Sequence, residues 1–431
     1  MYSPRGKGEE AMKKAVALFL SLAMALSLAA CGGSSTSSTA ASTAASTAAS
    51  VAASKAASTA SSTAASTAAS TAATSTAASG DTVKIGLVAM LTGDNPENGK
   101  RMQDSVQLAV DQYNAKGGVL GKQIELEVTD DQTDQAQAVT CIQKLASDGV
   151  AGIVGPHRST NAIAVSDTVA EYKIPILTGG TSPAIQDLNN DYIFRCRASD
   201  TIQANAAVAY AVEKGGAKNI GIMYDTDEFG SGAEKIIAEY CEKNGITYKA
   251  EGHNTGATDF SAQLMDVQSA GCDTLIIWCH DAELAMYARQ ITEFGLNVKV
   301  VSSPGVTMDT VLKLIDDPAY IAGWHAVTDF VSTSDDDTVK TFVKEFEDAT
   351  GTEAELYASS YYGAAVALIE AIKSAGSTDP QAVRDALAKT KDLQLPNGVA
   401  TCDDHNNLIH SCAIAEVGNN KDITQIDTVT G

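Results

Sequence analysis

Three hydroxyls stand where they could hold an anion: Ser159, Thr160 and Thr181. The first two follow Gly155-Pro156 and the third follows Gly179-Gly180, so both groups open just after a glycine turn. Hydroxyls and the free N–H groups of a helix start are the donors that a carboxylate needs. Arg158, beside Ser159, adds a guanidinium, the side chain best shaped for bidentate carboxylate binding. Each feature alone has a plain structural explanation, because Ser and Thr cap helices and loop arginines are commonly solvated. Two hydroxyl-bearing turns at one sheet edge favour a binding site.

The stretch 151–183 supplies that edge. Residues 151–154 form a short apolar run, suited to a strand buried on both faces. From Ser159 the pattern turns helical, with Ala162, Val165, Val169 and Ala170 near one face and Ser159, Thr160 or Asn161 as cap. Residues 174–178 return as a strand that stops at Gly179-Gly180. A βαβ unit is right-handed, so both turns lie at the same edge of a parallel sheet, where open α/β sheets bind ligands. Upstream, 83–90 and 123–129 read as strands. Helices over 136–147 and through Met102, Val106, Ala109, Val110 and Tyr113 complete a β-α-β-α-β-α-β order. The pattern then repeats, with strands 219–224, 247–251, 274–278 and 298–302 alternating with helices 232–243, 259–270 and 282–294. Two doubly wound sheets predict two lobes with a boundary near 199–203. Helices over 338–349, 358–374 and 380–390 follow, then a hairpin of 399–401 and 408–416 around 403–407.

The chain of 431 residues carries 53 Asp+Glu against 30 Lys+Arg, a formal net charge of −23. Without a basic stripe, nucleic acid is not an expected partner. Lys13-Lys14, the apolar run 15–30 and Leu28-Ala29-Ala30-Cys31 have the form of a signal peptide with a lipobox, which predicts a lipidated Cys31. Glu9 and Glu10 do not suit such a leader, which points to a start at Met12. Residues 32–81 are almost entirely Ala, Ser and Thr with STAAS repeats and no apolar stripe, and read as a flexible tether. Seven cysteines remain after Cys31. A Cys402–Cys412 bond and buried free thiols are both open, and no spacing suits a metal.

The motifs VKIGLVAMLTG, LAVDQYNAKGGVLGKQIELEVTDDQTDQAQAV, GIVGP, IPILTGGTSP, YIFR, IGIMYDTDEFGSG and TDFSAQL follow one another in an order that resembles the branched-chain amino-acid-binding proteins. These are type I solute-binding components of ABC importers. The resemblance implies an α/β fold of two Rossmann-like doubly wound lobes joined by a three-segment hinge. The first lobe would be 82–199 plus 329–395, and the second 200–328 plus 396–431. It also implies that Ser159 and Gly179, Gly180 and Thr181 hold a ligand's carboxylate and ammonium. Phe229 and His280 would close from the second lobe, with Asp200 near the cleft. The sequence departs from the family where Pro304 replaces an acid, Asn98 replaces a tyrosine, and Arg158 replaces a neutral residue. The positions of the family disulfide are Thr133 and Arg158.

The expected function is therefore a lipid-anchored, extracytoplasmic receptor that delivers a small amino acid or related carboxylate to an ABC permease. A monomer without cofactor or metal is expected. Asn98 and His280 in place of aromatic walls favour a polar ligand side chain, with Asp200 as a substitute partner for its ammonium. An enzyme on the same architecture lacks support, since GxGxxG, GxxxxGK[ST] and GxSxG are all missing from the strand ends. A sensory lipoprotein, or a receptor for an amide or another small polar solute, is the alternative.

Overall fold

The computed structural model describes residues 82–431. The expected leader, lipidation site and tether lie outside the described residues. The chain opens with β1 (Val83–Ala89), α1 (Pro96–Ala115), β2 (Ile124–Asp130), α2 (Gln135–Ser147) and β3 (Ile153–Val154). Then come α3 (Ser159–Ala164), α4 (Ser166–Tyr172), β4 (Ile176–Thr178), α5 (Ala184–Asp187) and β5 (Ile193–Arg195). These five strands pair in parallel in the order β2-β1-β3-β4-β5. Helices cover both faces, which is why β3 and β4 are apolar and buried along their whole length. The helix expected from Ser159 is two short ones that meet at Val165.

The pattern is repeated by α6 (Asp200–Glu213), β6 (Asn219–Asp225), α7 (Glu228–Asn244), β7 (Thr247–His253) and α8 (Ser261–Ser269). It continues with β8 (Thr274–Trp278), α9 (Asp281–Glu293), β9 (Lys299–Ser302), α10 (Asp309–Leu314) and β10 (His325–Thr328). The last segments are α11 (Asp337–Thr350), α12 (Leu356–Ala375), α13 (Pro380–Leu387), β11 (Leu393–Leu395), β12 (Gly398–Ala400), β13 (Ser411–Val417) and β14 (Ile423–Thr430). The second sheet runs β14-β13-β10-β9-β8-β6-β7. Its parallel part has the same order as the first sheet, and β13 and β14 add two antiparallel strands at one edge.

Packing shows which lobe each late segment serves. The alanine-rich α12 lies against α1 and β3 and is buried almost all round. Leu368 fits over Gly152, where an added β-carbon would stand 2.6 Å from Leu368 Cδ1. Overpacking at such a contact typically costs about 1–3 kcal/mol. The face of α1 that meets the core carries Met102, Val106, Ala109 and Val110 at helical spacing. Asn95 caps its start through the Asn98 N–H, and Pro96 occupies its first turn.

The C-terminal segments depart from the sequence reading. The predicted hairpin of 399–401 with 408–416 does not form, because β12 pairs with β11, while β13 pairs with β10 and β14. Asn406 and Leu408 instead hydrogen-bond to Arg195 at the edge of the first sheet. Cys402 and Cys412 are free thiols, as are the other five cysteines of the described residues. The paired strands place Cys412 opposite Val429 rather than opposite Cys402. No helix among the described residues is long and apolar enough to cross a membrane.

Candidate functional site

The carboxyl ends of strands from both sheets face one cavity. The first lobe contributes the loops after β3 and β4, with His157, Arg158, Ser159, Gly179, Gly180 and Thr181. The second contributes the loops after β8 and β9, with Cys279, His280, Asp281, Ser303, Pro304 and Gly305, and Phe229 from the start of α7. The cavity takes in about 430 Å³ of empty space, part of it open to solvent. A wider outer void of about 1440 Å³ adjoins it and shares His157, Arg158, His280, Asp281 and Tyr357.

Local hydrogen bonds fix the first-lobe wall. Ser159 Oγ accepts from the N–H groups of Thr181 and Ser182, each at 3.2 Å, which ties the two hydroxyl-bearing turns together. With both contacts to its oxygen, the Ser159 hydroxyl keeps its own proton for a ligand. The N–H groups of Gly179 and Gly180 go to Pro156 O and Thr178 Oγ1. The backbone donors of 179–182 thus support the wall rather than stand free, against the sequence expectation. Gly179 sits so close to its neighbours that an added β-carbon would fall 2.2 Å from the Tyr361 hydroxyl. That hydroxyl is itself 2.7 Å from His157 Nδ1. Burial, then the charge of Arg197, pushes the His157 pKa down, so its ring stays neutral.

On the second-lobe wall, Asp227 caps α7 through the N–H groups of Phe229 and Gly230. Its other oxygen meets His280 Nε2 at 2.9 Å. Burial raises the Asp227 carboxyl, but the hydrogen bond and charge of His280 outweigh it and hold the pKa low. The Phe229 ring stacks on His280 with centroids 5.1 Å apart. This gives one flat wall with a polar edge. Asp225, Asp227 and His280 each bring a ligand atom within 4.8 Å of the others. A cation there would have to displace the His280–Asp227 hydrogen bond.

Residues 82–422 match the profile of the periplasmic binding proteins. The chain belongs to that family. It is 29% identical over 326 residues to the Leu/Ile/Val-binding protein BraC3 of Rhizobium johnstonii, covering 74% of this chain and 87% of that protein. It is 27% identical over 330 residues to the leucine-, isoleucine-, valine-, threonine- and alanine-binding protein of Pseudomonas aeruginosa, covering 76% and 87%. Among solved structures, the branched-chain amino acid transporter substrate-binding protein LivJ of Streptococcus pneumoniae, in complex with isoleucine, superposes with a TM-score of 0.72. That alignment has 23% identity over 80% of this chain and all of the other.

Within this periplasmic binding protein, most sequence-marked residues line the inner cavity: Arg158, Ser159, Gly179, Gly180, Thr181, Phe229 and His280. Arg158 faces the cleft and pairs with Asp94 at 3.2 Å, which sets aside the solvated-loop alternative. Asn98 lines the outer void, and Thr160 lines neither. Asp200 does not reach the cavity. It lies fully buried behind Thr181, whose hydroxyl donates to its Oδ2 at 3.0 Å, and its own N–H donates to Thr181 O at 2.8 Å. Burial pushes the Asp200 carboxyl up to about 7, against the Thr181 hydrogen bond and the charge of Arg195. It cannot serve as the ammonium partner that the sequence suggested.

The structure also brings in residues that the sequence did not mark. Asp281 follows His280 directly and lines both voids. Leu356 and Tyr357 arrive from the start of α12. Arg197 lines the cavity while holding Asp329 across the hinge at 3.0 Å, with both side chains buried. The lobes also touch across the mouth of the cleft. Arg101 on α1 meets Asp309 on α10 at 2.8 Å, and Asp281 accepts from Asn95 and Asn98 at 2.6 Å each.

Proposed function

We propose that this protein is an extracytoplasmic receptor of an ABC importer, taking a small α-amino acid into the interlobe cavity and presenting it to a permease. The observation that carries the reading is the cavity itself. Ser159 is held as a donor and Arg158 stands beside it on one wall, and an aromatic and histidine face closes from the other. Such a site is apolar enough for a side chain and polar enough to orient a carboxylate. Leu/Ile/Val-binding relatives and an isoleucine-bound structural neighbour support the amino-acid class.

A receptor fits better than an enzyme, since the partners of Ser159 Oγ are two backbone N–H groups and, among the described residues, no imidazole or carboxylate hydrogen-bonds to it. Ser159 and Arg158 hold the carboxylate end, with Gly179, Gly180 and Thr181 as the wall that fixes them, and Phe229 and His280 cover the ligand. Asp200 acts behind the wall through Thr181, and Thr160 is not part of the cavity lining. The lobes divide as 82–199 with the helices after 329, and 200–328 with the C-terminal strands. The leader through Cys31 and the tether 32–81 anchor the monomer to the outer face of the cytoplasmic membrane. This rests on the LAAC motif and the STAAS repeats. A thermal-shift screen of amino acids, amides, short organic acids and sugars tests the ligand class. A true ligand at one hundred times its Kd stabilises the folded chain by about 2.7 kcal/mol. A panel in which sugars or amides shift the protein and no amino acid does would refute the ligand assignment.

A further inference from the structure

The inner cavity is rich in donors and poor in acceptors. Arg158, Ser159, Arg197 and His280 line it, and Asp281 is the one carboxylate among its lining residues. The two oxygens of Asp281 differ. Oδ2 accepts from Asn95 Nδ2 and Asn98 Nδ2, both at 2.6 Å. Oδ1 has no hydrogen-bond donor among the described residues and is turned toward Gly305, where an added β-carbon would stand 3.1 Å from it. Gly305 is itself part of the cavity wall. A second acceptor lies beside it. Asn98 is 1% exposed, and its Oδ1 is buried with no partner. Because Asn98 Nδ2 touches Asp281, that orphan oxygen is only a few ångströms from the carboxylate. A buried acceptor without a donor, as Asn98 Oδ1 is, is rare in folded proteins and costs free energy unless a ligand satisfies it, whereas Asp281 Oδ1 belongs to a half-buried side chain.

The charges of His280 and Arg158 favour the Asp281 carboxylate, but no positive group among the described residues gives Oδ1 a hydrogen bond. Arg197 is committed to Asp329, and Arg158 is paired with Asp94. Lys313 pairs with Asp309 rather than with Asp281. The pair Asp281–Asn98 therefore presents two unfilled acceptors, one from each lobe, at the place where the inner and outer voids join. A cationic group with three N–H donors matches it, and a neutral hydroxyl does not carry the charge.

We propose that Asp281 Oδ1, with Asn98 Oδ1, receives the ligand's α-ammonium and makes this receptor selective for amino acids over the corresponding hydroxy acids. The proposal rests on the amino-acid reading above and names the residues that enforce it. Asp281 comes from the second lobe and Asn98 from the first, so the ammonium bridges the cleft. Burial raises the Asp281 carboxyl, which a bound ammonium would reverse.

The test uses the full chain and isothermal titration. The twenty standard L-amino acids are titrated first, and the tightest is compared with the 2-hydroxy acid of the same side chain. Wild type should prefer the amino acid by at least about 30-fold, the usual scale for losing one partner of a buried charge pair. Asp281→Asn should lose a similar factor for the amino acid and leave the hydroxy acid within about 3-fold. Asn95→Ala, which removes a contact to Oδ2 and the cap on the Asn98 N–H but neither acceptor, should weaken both ligands alike. Equal weakening of both ligands by Asp281→Asn would overturn the proposal and make Asp281 a simple clasp between lobes. Should that variant fail to fold, equal wild-type affinity for amino and hydroxy acid would overturn it as well. Wild type that binds no amino acid at all, while binding other solutes, would bring down the ligand reading itself.

Discussion

Asp200 offers a perturbation whose size can be worked from the structure. The carboxyl is fully buried between Thr181 and the start of α6, and its Oδ1 has no hydrogen-bond partner. Its pKa is pushed up to about 7 from the ordinary 3.8, first by burial. The sign follows from proton counting. Between those two values the folded chain holds a proton that the unfolded chain has lost, so stability falls as pH rises through the window. The shift corresponds to about 4 kcal/mol of destabilisation, fully present above pH 7 and relieved toward pH 4. Asp200→Asn removes the titration and keeps an acceptor for the Thr181 hydroxyl. Urea unfolding at about pH 5 and about pH 8 should show the variant gaining on wild type, by up to about 4 kcal/mol at the higher pH. Glu355, also buried and pushed up to about 7, contributes a similar slope to both proteins and cancels in the difference. Stability curves that run parallel for the two proteins across this range would refute the reasoning.

Three further outcomes follow from named contacts. Ser159→Ala leaves the Thr181 and Ser182 N–H groups without their acceptor. It should weaken amino-acid binding by about 1.5–3 kcal/mol in a titration, with a smaller loss of stability. Asp329→Asn leaves the Arg197 guanidinium buried beside a neutral partner. A drop of about 3–5 kcal/mol in denaturant stability is expected, with loss of the hinge geometry. Six of the seven free cysteines of the described residues are buried, so a thiol reagent should modify those six only after unfolding, and dithiothreitol should not lower Tm.

Strand-end loops made much of the site legible. Ser159, Gly179–Thr181, Phe229 and His280 all sit just past, or open the helix after, a strand whose apolar pattern is plain in the sequence. The alternation of strands and helices in both lobes was legible for the same reason. What escaped depends on contacts between distant segments. Leu356 and Tyr357 open a helix some two hundred residues after the loops they join, and nothing local marks them as cavity residues. Asp281 reads as an ordinary acid in the first turn of α9, where negative charge suits the helix dipole. Only the approach of Asn95 and Asn98 from the other lobe sets it apart. The family resemblance placed Asp200 near the cleft, but its carboxylate turns behind Thr181. The alternation over 408–416 correctly marked a strand, and its partners were misread because β10 and β14 lie outside the local hairpin. β14 itself is an exposed edge strand with mostly polar residues, so it carries no buried pattern to detect.

Equilibrium dialysis of the full chain against an equimolar mixture of the twenty L-amino acids tests the central claim most directly. Mass spectrometry of the two chambers should find one amino acid, or one group of related side chains, concentrated with the protein at about one equivalent per chain. Ser159→Ala in the same experiment should retain markedly less. Equal concentrations of every amino acid in both chambers would contradict the account.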